Sequence, residues 1–191
     1  MPLSNGAHVL HGGAGAISHQ LWQHRTQTLA DGRAQVVFSL NSPAGENGYA
    51  GNLAIELTYT LDQAQNLTLA YRARTDAPTV CNLTHHSYFN LSGNVRATVH
   101  EHSLQIHASA VCAMNDELLV NGAEWMVADS DFDYRQARAL GDILNSADAR
   151  IRQARGGDHY FVFDEVTTER AQVALYEPHS GRRLRVYTDQ P

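Results

Sequence analysis

From Ile55 to Leu61 apolar and polar side chains alternate, with Ile55, Leu57, Tyr59 and Leu61 separated by Glu56, Thr58 and Thr60. A period of two puts every second side chain on one face of an extended chain, so the run predicts a strand with one buried face. Leu67, Leu69 and Tyr71 repeat the pattern after the polar segment 62–66, a five-residue connection that fits a hairpin. Val36, Phe38 and Leu40 predict an earlier strand, Leu104, Ile106 and Ala108 a later one, and Leu184 and Val186 another near the end. Thr, Tyr and Val sit within these runs as β-propensity favours. Helical signals are few. Residues 135–140 and 147–152 can each make a turn or two, and neither carries a sustained apolar stripe. Loops are predicted at 42–48, 92–94 and 156–158, where Gly, Pro, Asn and Ser cluster. Many strands, little helix and no internal repeat predict an all-β chain, an antiparallel sandwich or a related barrel, formed as a single domain over 1–191.

Composition narrows the classes. Of 191 residues, 43% are hydrophobic and 18% charged, enough apolar mass for a core and too little charge for disorder. The formal net charge is −6 with both signs interleaved, which argues against a nucleic-acid partner because such proteins carry a basic patch or stripe. No basic segment precedes an apolar stretch at the start, and no apolar run reaches the roughly 18 residues of a membrane span. The expectation is a soluble, cytoplasmic protein without a membrane partner. Cys81 and Cys112 share no short metal-type spacing and make no disulfide framework.

The candidate chemistry lies in eleven histidines that fall in groups. His85 and His86 lie in NLTHHSYFNLSG (82–93), where hydroxyls and amides mix with Tyr88 and Phe89. A histidine held there can titrate near neutrality and serve as general acid or base, although pattern alone favours a core histidine bonded to backbone. His11 sits in LHGG (10–13), whose glycines let backbone approach a ligand, and Trp22 follows with a flat apolar face. Neither GxGxxG nor GxxxxGK[ST] is present, so no phosphate loop is read. His100 and His102 would share a face of a strand, with His107 nearby, and a solvated strand face is the expectation. No HExxH-type spacing occurs, so no metal is assigned. In GGDHYF (156–161), Asp158 can accept bonds from two neighbouring hydroxyls of a ligand, or simply close an Asx turn.

The order of these segments is more specific than any one of them. LHGG with Trp22, GYAGNL (48–53), NLTHHSYFNLSG, SDFDYR (130–135), GGDHYF and VYTDQP (186–191) together resemble the successive motifs of the aldose 1-epimerase (galactose mutarotase-like) family. The resemblance runs from about residue 5 to 191 and implies an antiparallel β-supersandwich, here incomplete at both ends. It also implies interconversion of the α and β anomers of aldohexoses such as galactose or glucose, without metal or cofactor. His86 falls on the family's acid histidine and His11 on its second active-site histidine. Asp158 falls on the sugar-binding acid, and Gln190 on the polar residue of the YTxQP segment. His85 stands where the family more often has Asn, and Trp22 is expected to be structural. The family's base glutamate follows YTxQP, and its Asn-Arg sugar-binding segment precedes LHGG; neither motif occurs in 1–191. Glu165, Glu169 and Glu177 stand in other surroundings. Two alternatives remain at this stage: a non-catalytic sugar-binding module of the same fold, and a mutarotase for a phosphorylated or sulfonated hexose. Arg72, Arg74, Arg182, Arg183 and Arg185 are the cationic candidates for the latter.

Overall fold

Four strands, β1 (Gln23–Thr28), β2 (Ala34–Ser42), β3 (Leu53–Leu61) and β4 (Leu67–Thr75), pair antiparallel in sequence order in the computed structural model, which describes residues 6–190. Residues 1–5 and Pro191, the last residue of VYTDQP, lie outside the described residues. The chain divides into two compact units, Met1–His86 and Ser87–Pro191, and the four-stranded sheet belongs to the first. Directly paired residues of an antiparallel ladder share a face, so the register decides what gathers on each side. Leu40 faces Ile55, Phe38 faces Leu57, and Val36 faces Tyr59. Leu57 and Tyr59 in turn face Tyr71 and Leu69. The alternation read from the sequence therefore becomes one apolar face. The hairpin at 62–66 forms as expected: the Asp62 carboxylate accepts from the backbone N–H of Ala64 at 2.8 Å and of Asn66 at 2.9 Å. Strand β1 was not legible, since QHRTQT has no apolar position and all six residues are exposed. It forms through its ladder with β2, and its polarity suits an edge strand that must not recruit another chain.

The second unit holds β5 (Ser103–Ile106), β6 (Ala108–Met114), β7 (Val120–Met126), β8 (Arg138–Ala139), β9 (Phe161–Phe163), β10 (Val173–Tyr176) and β11 (Arg183–Val186). They form one sheet in the order β11-β10-β5-β8 and another in the order β7-β6-β9, all antiparallel. The run expected as one strand from Leu104 to Ala108 is two strands in different sheets. His107 marks the break, its N–H donating to Gln172 and its carbonyl accepting from Asp164. Both sheets cover one core of Ile106, Ala108, Val111, Val127, Phe132, Tyr134, Ile143 and Ile151, which is the sandwich predicted from the pattern.

The first expected helix is displaced. Residues 138 and 139 pair with β5, and the N–H groups of Leu140 and Gly141 donate to the carbonyls of His102 and His100. Those donors are committed to the sheet, so α1 runs only over Leu140–Leu144. Helix α2 (Ala149–Gln153) matches the second expectation, and the Asp148 carboxylate caps it by accepting the Arg150 N–H at 2.9 Å. The solvated strand face expected at His100 and His102 is corrected in part: His100 is exposed, but both precede β5. His102 is buried, and its Nε2 accepts the Leu91 N–H at 2.9 Å because that amide has no strand to pair with.

Glu177 closes the turn between β10 and β11 and is 3% exposed. Its carboxylate accepts the N–H of His179 at 3.1 Å and of Ser180 at 2.5 Å, and His179 Nδ1 at 3.0 Å. Hydrogen bonding from Ser180, foremost, holds the carboxyl well below its ordinary 4.5, at about 2, although burial pushes the other way. A carboxyl depressed on folding stabilises above its unfolded pKa and loses that contribution as pH falls from about 4.5 toward 2. Glu177→Gln is therefore expected to lower the urea midpoint at pH 7, with the gap to the parent chain closing between pH 4.5 and 2. A gap of equal size at pH 7 and pH 2.5 would show that Glu177 contributes by shape alone.

Candidate functional site

His11 stands at the tip of a tight turn in which the Gly13 N–H donates to the Leu10 carbonyl at 2.9 Å. Both central residues have positive φ, 51° at His11 and 88° at Gly12. Glycine takes that backbone at little cost, whereas a histidine there carries strain of order 1–3 kcal/mol that the surroundings must hold. The turn is held from behind. Gly13 and Ala16 are buried, and the Ala16 N–H donates to the Gly13 carbonyl at 3.1 Å. Asn47 Nδ2 donates to the Gly15 carbonyl at 2.6 Å. Trp22 Nε1 donates to the Ile17 carbonyl at 2.9 Å, which gives the tryptophan a structural task.

The partner histidines arrive along a chain segment that joins no strand. Rings on the sheet set its position. Phe38 and Tyr59 meet edge to face at 5.9 Å between centroids, and Tyr59 meets His85 in the same manner at 6.1 Å. His85 is seated on Tyr59, and His86 follows it in the chain. His86 there meets His11 edge to face, with centroids 5.4 Å apart and planes at 68°. Two imidazoles from opposite ends of the first unit are thus side by side and exposed. An imidazole offers ring nitrogens that donate or accept a proton, so the pair is chemically suited to exchange protons with oxygen atoms of a ligand.

Asp158 and Gln190 lie in the second unit. Asp158 is exposed in the turn between α2 and β9, and His159 beside it anchors that turn. The His159 ring meets Phe132 edge to face at 4.6 Å and lies 6.4 Å from Trp125. Neither of its ring nitrogens has a hydrogen-bond partner among the described residues. Burial pushes this imidazole below its ordinary range, against the pull of the Asp158 charge, so it is seated as a neutral ring. Arg150 lies over both Trp125 and Phe132, at 5.0 and 5.1 Å, and is fixed by the Asp148 carboxylate.

Gln190 follows β11 and is exposed, with its Nε2 donating to the Asp189 carboxylate at 2.8 Å. Gln172, 2% exposed, holds the segment leading to it. The Gln172 amide accepts the Thr188 N–H at 3.0 Å, donates to the Thr188 carbonyl at 3.2 Å and also donates to the Thr167 carbonyl. Asp158 and Gln190 adjoin strands of different sheets. The structure therefore brings His11 and His86 together and places Asp158 and Gln190 on two separate edges of the second unit. His159 and Gln172 were missed in the sequence, where a lone polar residue beside an apolar run carries no distinguishing spacing. Among the described residues, no group of three or more His, Cys, Asp or Glu is placed to hold a metal ion, and no helix is long and apolar enough to cross a membrane.

Comparison with known proteins agrees with the motif order. The chain is 36% identical over 191 residues to the galactose mutarotase of Rattus norvegicus, covering all of this chain and 53% of that protein. It is 31% identical over 189 residues to the aldose 1-epimerase of Escherichia coli K12, covering 98% of this chain and 53% of that one. The chain thus spans about half the length of the curated relatives it matches. A galactose 1-epimerase crystal structure from Lactobacillus acidophilus superimposes with a TM-score of 0.84 at 30% identity, over 93% of this chain and 51% of its own. A GalM/aldose epimerase homologue from C. elegans gives 0.78 at 26%, over 97% and 54%. The family model described as aldose 1-epimerase matches residues 1–191, and the chain belongs to that family.

Proposed function

We propose that residues 1–191 carry the acid side and part of the sugar cradle of an aldose 1-epimerase, acting on aldohexoses such as galactose or glucose. The observation that supports this most is the His11–His86 pair, two exposed imidazoles in edge-to-face contact on the motif positions that resemble the family's two active-site histidines. In the proposed reaction His86 donates its proton to the ring oxygen as the C1–O5 bond breaks. A carboxylate base takes the C1 hydroxyl proton, leaving an open-chain aldehyde. Rotation about C1–C2 presents the other face, and the reverse transfers close the ring as the opposite anomer. No atom is gained or lost, and both catalytic groups return to their starting state.

His11 supports the ring-oxygen side by orienting His86. Asp158 accepts hydrogen bonds from sugar hydroxyls, and Gln190 offers both a donor and an acceptor. The base is assigned by resemblance to the glutamate that follows YTxQP in the family. Glu177 is not that base, because its carboxylate is spent on the amides of its own turn and held at about 2, too weak to draw a hydroxyl proton near neutrality. Because the family model runs without a break through both units, they are taken as parts of one family domain.

The test is polarimetry of freshly dissolved α-D-galactose with the protein and with buffer alone. Faster decay of rotation with protein is the expected result, and Asp158→Ala is expected to raise KM about tenfold through the loss of a charge-assisted bond to the sugar. A rate equal to buffer from a folded protein that still binds galactose would make residues 1–191 a sugar-binding portion of the family fold that does not exchange anomers by itself.

A further inference from the structure

The outer face of the β11-β10-β5-β8 sheet carries a groove of about 560 Å³ outside the residues assigned to anomer exchange. Its hollow comes from small side chains. The register sets Gln105, Ala174 and Arg185 in one row and Ser103, Tyr176 and Arg183 in the next, so an alanine lies in the floor between longer neighbours. Arg183 and Arg185 are two positions apart on one face of β11, roughly 6–7 Å along the strand. No carboxylate stands opposite either of them, and like charges so placed repel. Arg183 stacks on the Tyr176 ring at 4.9 Å, which fixes its plane and leaves the N–H edges open. Arg185 makes no side-chain hydrogen bond or ion pair among the described residues. His107 and Tyr187 add further polar groups to the wall. Of the remaining charges lining the groove, Arg170 is engaged by the Glu165 carboxylate and Glu169 is the one acid, so Arg183 and Arg185 leave it cationic.

We propose that this groove binds an oxyanion ester, a phosphate or sulfate monoester carried on a sugar, with Arg183 and Arg185 forking onto its oxygens from two sides. A tetrahedral anion accepts from both guanidinium edges at once, which offsets the repulsion between the two side chains. The sites named for anomer exchange play no part in this recognition, so the proposal stands or falls apart from that function. Arg72 and Arg74 are excluded from it, since they lie on β4 in the first unit, and Arg182 donates instead to the Leu91 carbonyl at 3.2 Å.

Calorimetric titration of the folded chain with galactose 6-phosphate, galactose 6-sulfate, inorganic phosphate and free galactose tests the assignment. Binding of an ester is expected, with Arg183→Gln and Arg185→Gln each weakening it about tenfold or more. The phosphate and sulfate arms show which ester is preferred, and inorganic phosphate shows how much the anion contributes alone. Arg152→Gln removes the same charge from α2, and His86→Ala removes the proposed acid; both are expected to leave ester binding unchanged. Failure of both esters to bind, or equal weakening by Arg152→Gln, would overturn the groove. Weakening by His86→Ala with none by Arg185→Gln would do the same by moving the ester to the histidine pair.

Discussion

Replacing His86 by alanine is expected to lower kcat/KM for anomer exchange of α-D-galactose by about 10²–10⁴-fold, with most of the loss in kcat. Breaking the C1–O5 bond leaves negative charge on the ring oxygen unless a proton arrives with it, and alanine can supply none. The loss falls on kcat because the proton moves in the transition state, whereas the bound sugar is held mainly by hydroxyl contacts. The neighbouring position gives the control. His85 packs on Tyr59, and His85→Asn, which installs the residue more common in the family, is expected to change kcat less than tenfold. The pairing with His11 adds a second readout. If His11 orients the acid, His11→Ala should lower kcat with little change in KM, since it removes the ring beside His86. Polarimetry over pH 5–9 measures all three variants. An unchanged rate in His86→Ala would remove it as the acid.

The dependence of this site on the sheet explains which parts of it the sequence showed. The strands β3 and β4 and the hairpin between them were legible because their alternation follows from burial on one face and their turn residues from local backbone geometry. Strand β1 has no such signal, since a polar edge strand is specified by the partner it pairs with. The helix expected at 135–140 failed for a related reason: its donors are taken by the carbonyls of His100 and His102, some 40 positions earlier, and no local propensity encodes that. The candidate residues divide in the same way. His11, His86, Asp158 and Gln190 were singled out through motif order, because each stands in a stretch whose neighbours are also distinctive. Gln172, His159 and His102 act only through distant partners, and a single polar residue in an apolar run looks the same whether it clamps a backbone or faces water. Adjacency alone does not say which of His85 and His86 faces His11; His85 meets Tyr59 on the sheet, and His86 meets His11.

Phe132→Ala is expected to destabilise the second unit by about 3–5 kcal/mol, the range for removing a fully buried aromatic ring. Phe132 is 0% exposed, and its ring touches groups that cannot all close over a void. Trp125 lies 6.5 Å from it, His159 4.6 Å, and the Arg150 guanidinium 5.1 Å. Arg150 is fixed by Asp148 at the cap of α2, and Trp125 by its pairing opposite Val111 in β7, so neither can move in to fill the space. The His159 ring is held by packing alone. Its nitrogens have no hydrogen-bond partner among the described residues, and once Phe132 is gone its half-buried position loses the contacts that offset the cost of desolvation. The turn carrying Asp158 is therefore expected to loosen with the core, and sugar affinity to fall even though Phe132 touches no sugar. The chain has two tryptophans, Trp22 in the first unit and Trp125 in the second. In a Trp22→Phe background, urea unfolding followed by fluorescence then reports the second unit through Trp125 alone. A loss under about 1 kcal/mol would mean that the core collapses around the missing ring, with His159 rather than Phe132 holding the turn. A loss in the expected range with galactose affinity unchanged would separate the stability of this core from the placement of Asp158.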